Sequence, residues 1–86
     1  MFNSKRYLKL YHLIDDIQFI NEDFVQKDYS FCDYSIVITK YEDSNGVHIS
    51  IYVHYQRDVV LHSVIKLRSK WVNPDPIVRL ILNVCY

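Results

Sequence analysis

Alanine is absent from this 86-residue chain and glycine occurs once. A lone glycine excludes glycine-rich phosphate loops and dinucleotide-binding turns, which need several glycines for backbone to approach phosphate closely. Long apolar runs are missing too. The longest candidate, Ile77 to Tyr86, is broken by Arg79 and Asn83, and nothing approaches the roughly 20 apolar residues of a membrane span. Met1-Phe2 leads directly into Lys5-Arg6, so no targeting segment is expected, and a cytoplasmic location follows (the host cytoplasm for a phage or viral gene).

Two cysteines are too few for a disulfide framework, and Cys32 and Cys85 are expected as reduced, buried thiols. Neither forms a Cys-x-x-Cys pair. His54 and His62 could reach a common ion, but His48 lies too far along its strand to be a third ligand, so no metal and no cofactor are expected. Asp15 and Asp16 fall about 100° apart on a helix and cannot work as a facing acid–base pair. Cys32 has no local setting that would make it a nucleophile. The expectation is a protein that is not an enzyme.

Half of the residues are apolar, which suits one small folded domain with a modest core. Ile, Tyr, Asn, Lys and Phe are heavily used. Their codons are A/T-rich, which points to an AT-rich genome: a bacterium of low GC content, one of its phages, or a virus. Ten acids balance ten Lys and Arg, yet the charge is uneven. Asp15 to Asp43 carries eight acids against Lys27 and Lys40, whereas Arg57 to Lys70 carries Arg57, Lys66, Arg68 and Lys70 against Asp58. Such a dipole favours self-association or docking on a charged partner.

Leu10, Leu13, Ile14, Ile17 and Ile20 recur at helical spacing, predicting a helix over 4–21 with Ser4 or Asn3 as its cap. Period-two alternation with β-branched enrichment predicts strands over 34–41, 47–55 and 59–68. Asn45-Gly46 marks the first hairpin, because both residues tolerate the positive φ of a tight turn; a two-residue turn and a Ser-Asn-Gly loop with a glycine bulge both fit. A three-residue connection, Gln56-Arg57-Asp58, would set Tyr55 opposite Val59, Val53 opposite Leu61 and Ile49 opposite Ile65, keeping the apolar face intact. Asp75-Pro76 opens a helix over 77–86, with a capping carboxylate before a proline; alternation of Val78, Leu80, Leu82, Val84 and Tyr86 leaves a fourth strand as the alternative. The fold class is α+β: a three-stranded antiparallel meander with an N-terminal and a C-terminal helix, α-β-β-β-α.

The sheet face turned away from the N-terminal helix gathers the reactive side chains. His62 lies across from Tyr52, with His54 diagonal to it, Tyr41 or Thr39 joining from the first strand, and Lys66 and Arg68 extending the row. Imidazoles, phenols and cations on an open sheet suit a protein-binding face or a base-stacking one. Trp71 reads as a lid on the core. Apolar residues on almost every side of 77–86 raise homodimerisation.

The order α-β-β-β-α resembles that of the double-stranded RNA-binding domain, whose last helix opens on a phosphate-gripping lysine cluster. Here Asp75-Pro76-Ile77-Val78-Arg79 offers one arginine behind an acid, and the family's alanine-rich packing is absent, so the resemblance is architectural and implies no function. The reading that remains is a non-enzymatic binding module, a phage or mobile-element factor that occupies a host nucleic-acid-processing protein in the manner of anti-CRISPR or anti-restriction proteins. Its acidic residues Asp15, Asp16, Glu22 and Asp23 would imitate nucleic acid. Direct nucleic-acid binding through the sheet face and a structural homo-oligomer are the alternatives.

Overall fold

In the computed structural model, which describes residues 4–68 and 71–85, the helical spacing near the start of the chain becomes α1 (Ser4–Phe19), with Leu10, Ile14 and Ile17 buried. It ends two residues earlier than its periodicity suggests. Lys40 reaches up from the sheet and its Nζ donates to the carbonyls of Gln18 at 3.1 Å and Ile20 at 2.7 Å. Carbonyls that the helix leaves unpaired thus meet a cation at the negative end of the helix dipole. Asn3, Lys70 and Tyr86, which entered the cap, charge and alternation readings, lie outside the described residues.

Four strands follow, one more than expected: β1 (Phe24–Phe31), β2 (Tyr34–Asp43), β3 (Gly46–Tyr55) and β4 (Asp58–Leu67). They form one antiparallel meander in chain order, giving α-β-β-β-β-α. The additional strand β1 is amphipathic only weakly. Val25 is its one buried residue, and Lys27 shares the inward side with Tyr29 and Phe31. Its turn to β2, Cys32-Asp33, holds neither glycine nor asparagine, yet Cys32 adopts φ 51°, a left-handed conformation that residue types other than Gly, Asn and Asp seldom take.

The hairpins also refine the expected turns. Asp43 pairs with Gly46 around Ser44-Asn45, and the Asp43 carboxylate accepts from the Asn45 N–H at 2.8 Å, a side-chain turn of the Asx kind. The positive φ falls on Gly46, at 120°, and not on Asn45. In the next hairpin the loop has two residues, Gln56-Arg57, with Tyr55 opposite Asp58 rather than Val59. The expected pairs Val53–Leu61 and Ile49–Ile65 are nevertheless present, because a bulge that leaves Val60 unopposed restores the faces.

The last segment is helical, α2 (Pro74–Val84). Its cap is Asn73, whose side chain accepts from the Asp75 N–H at 3.1 Å, with Pro74 in the first helical position. The cap-then-proline logic therefore applies two residues earlier than Asp75-Pro76. Both helices pack on one face of the sheet, joining Leu10, Ile14 and Ile17 to Ile36, Ile38, Ile49, Ile51, Val53, Ile77, Val78 and Ile81 in one apolar cluster. The sides of α2 that looked unpartnered are largely covered, although Leu80 stays exposed. Among the described residues, the opposite face of the sheet carries no helix.

Candidate functional site

Cross-strand register lays out the uncovered face as rows. Phe24, Tyr41, His48 and Lys66 form one; Gln26, Thr39, Ser50 and Val64 the next; then Asp28, Val37, Tyr52 and His62; then Ser30, Ser35, His54 and Val59. Side chains directly opposite on antiparallel strands share a face and touch. The Tyr52 ring stacks on His62 with centroids 4.1 Å apart and planes 8° from parallel. His54 stacks on the same tyrosine at 6.1 Å and 20°, and Tyr41 stacks on His48 at 5.3 Å and 17°. Phe24, Val59, Val60 and Val64 are exposed among them. Solvent-facing apolar side chains interleaved with aromatic stacks make a patch of the kind that marks interaction sites.

His48 has 13% of its side chain exposed. Its Nδ1 is buried without a hydrogen-bond partner and lies 3.6 Å from Asp43 Oδ1, too long for a hydrogen bond. No three His, Cys, Asp or Glu side chains converge as a metal site among the described residues.

The residues singled out from the sequence divide between three places. Tyr41, Tyr52, His54, His62 and Lys66 belong to the uncovered face. Arg68 does not extend their row. It falls beyond the end of β4 and lines a cleft at the end of the sandwich. Asp16, Glu22 and Asp23 are exposed at and after the end of α1, and the Glu42 N–H donates to the Asp23 carbonyl at 3.1 Å, which draws Glu22-Asp23 and Glu42-Asp43 together. Asp15 is engaged within the fold: its carboxylate accepts the indole N–H of Trp71. Trp71 is accordingly no lid on the core, being 48% exposed.

Two features had no sequence signal. The first is the cleft, of about 580 Å³, between the end of α1 and the Gly46 end of the sheet, with Phe19, Val47, Leu67 and Trp71 as apolar walls and Lys40 and Arg68 as its cations. The second is the pair of interactions of Arg6, whose guanidinium donates to Cys32 Sγ at 3.5 Å and lies 4.3 Å over the Phe31 ring. Cys32 is thus exposed, against the expectation of two buried thiols, while Cys85 is buried and both are free. Burial pushes the Cys85 thiol up to about 11, against a smaller lowering by Arg6. Where α1 meets α2, Tyr7 donates its hydroxyl to Asp75, which also pairs with Arg79 at 2.9 Å. The Tyr7 hydroxyl, then Arg79, hold the Asp75 carboxyl below the usual carboxylate range.

Set against known proteins, the chain matches no family model, no curated protein and no solved structure. No described helix is long and apolar enough to cross a membrane.

Proposed function

We propose that this chain is a non-enzymatic protein-binding module that acts by occupying a macromolecular partner with the uncovered face of its sheet. The observation that carries the reading is the stack of Tyr52 on His62 beside His54 on a face over which no described helix lies. Ring pairs already held against one another lose little freedom when a partner covers them, and tyrosine is among the residues that supply most binding energy at interfaces. Exposed Val59, Val60 and Val64 along β4 add apolar area on the same side.

The partner class we assign is a host protein that handles nucleic acid, with the chain as a phage or mobile-element inhibitor. The composition, biased toward residues with A/T-rich codons, supports that source. The gathering of Glu22-Asp23 and Glu42-Asp43 supports a second contact, in which these acids with Asp16 enter a basic groove as phosphates do. The chain would then work in the cytoplasm of the host.

A tagged chain recovered from a low-GC bacterial lysate, with and without nuclease, tests the partner class. A stoichiometric protein retained after nuclease is the expected result. Charge reversal at Asp16, Glu22 and Asp23 should weaken that complex, and unchanged binding would remove the mimicry component. Capture of nucleic acid alone, lost on nuclease treatment, would instead favour base stacking on Tyr52 and His62, with affinity falling steeply as salt rises. Recovery of a second copy alone would favour a homodimer.

A further inference from the structure

The cleft at the end of the sandwich is separate from the uncovered face, because Lys40, Val47 and Leu67 project from the inner side of the sheet, toward the helices. Its walls are fixed by the fold. Gln18 clamps the backbone of Val72 through two hydrogen bonds, donating to the carbonyl at 2.9 Å and accepting from the N–H at 2.7 Å. The adjacent Trp71 is anchored by its indole N–H on Asp15, so its ring faces rather than its polar edge are left for the cleft.

Lys40 is preset in the same way. Carbonyls of Gln18 and Ile20 hold its ammonium and use two of its three donors without neutralising its charge. Neither Lys40 nor Arg68 has a carboxylate partner among the described residues. The residues lining the cleft include no acid. Two acids beside the lining residues are turned to other uses or to solvent: Asp15 binds the indole of Trp71, and Glu42, opposite Val47, is exposed. The volume, about 580 Å³, falls within the range of small-molecule sites, which combine apolar walls with a few placed polar groups.

We propose that this cleft binds a small organic anion with a flat apolar body, an aromatic carboxylate being the simplest member of the class. The body lies between Trp71, Phe19, Val47 and Leu67. The anionic group takes the remaining Lys40 donor and the Arg68 fork. This site is independent of the partner-binding reading and can stand or fall without it.

The chain supplies two unique reporters at the site, since its only tryptophan, Trp71, and its only glycine, Gly46, both line the cleft. The experiment is a two-dimensional 1H–15N titration of the full chain with 3-phenylpropionate and, separately, with neutral 3-phenylpropionamide. The carboxylate should move the Trp71 indole and Gly46 amide signals with roughly millimolar affinity, as a fragment of that size allows. The amide should bind at least about tenfold more weakly, as should the carboxylate with an Arg68→Gln variant, for loss of charge-assisted hydrogen bonds. Arg68 is exposed just beyond the end of β4, and an otherwise unchanged spectrum establishes that the variant folds. Amide binding as tight as carboxylate binding would overturn the anion assignment. The absence of shifts at both reporters, or shifts confined to Tyr52, His54 and His62, would overturn the site. Movement of the same two signals on simple dilution would overturn it as well, showing the cleft filled by a second copy.

Discussion

Tyr52 and His62 face one another across β3 and β4 with their rings 4.1 Å apart and 8° from parallel, on the one sheet face the helices leave open. The pairing depends on the bulge at Val60. A two-residue loop without it would place His62 opposite Ile51 and turn an imidazole into the core. A local backbone irregularity in β4 therefore sets the chemistry of the whole outer face.

The tight turn between β2 and β3 depends on Gly46. Its φ of 120° is strained for any residue with a Cβ, and an added Cβ would meet Lys66 Cε at 3.3 Å. Gly46→Ala should destabilise the fold by about 1 kcal/mol or more, seen as a lower urea midpoint with an unchanged slope.

Lys40 closes the end of α1. Lys40→Met keeps the length and the apolar stem but leaves two carbonyls without a donor. The expected loss is about 1–2 kcal/mol, read by urea denaturation, and the Gln18 and Ile20 region should show faster amide exchange.

Asp75 sets an acid limb to stability. Its carboxyl is held below its ordinary value when folded, first by the Tyr7 hydroxyl and then by Arg79. A depressed folded value means a contribution present above the unfolded carboxylate pKa and lost as pH falls through the folded one. Urea midpoints measured from neutral pH downward should therefore fall less steeply in Asp75→Asn than in the wild-type chain.

The two thiols should separate by reactivity. Cys32 is exposed, whereas Cys85 is buried and pushed up to about 11, so iodoacetamide at pH 8 should label Cys32 in the native protein and Cys85 only after unfolding. Mass spectrometry of peptides from briefly labelled protein distinguishes the two.

Legibility in the sequence followed the strength of local patterning. The stripe Leu10-Ile14-Ile17 and the alternation over β3 were unambiguous because each has one wet and one dry side. The same alternation placed Tyr52 across from His62. β1 was obscured because Lys27 points to the helix side and only Val25 is buried, and because a turn through Cys32 at φ 51° breaks the usual residue preferences. The ambiguity of residues 77–86 was resolved by packing: Ile77, Val78 and Ile81 are buried in the cluster with α1 and the sheet, which no property of the segment alone dictates. The cleft had no signal, since its walls come from α1, β2, β3, β4 and the residues after them. Arg68 looked like the end of a strand row and became a cleft residue through a chain direction that only the fold supplies.

The most direct measurement is the affinity of the nuclease-resistant partner for the wild-type chain and for a Tyr52→Ala, His62→Ala variant, with thermal unfolding of both. If the uncovered sheet face is the working surface, the variant should retain cooperative unfolding and lose about a hundredfold or more in affinity, the scale of interface hot spots. Equal affinity in a variant that still folds would contradict the sheet-face assignment.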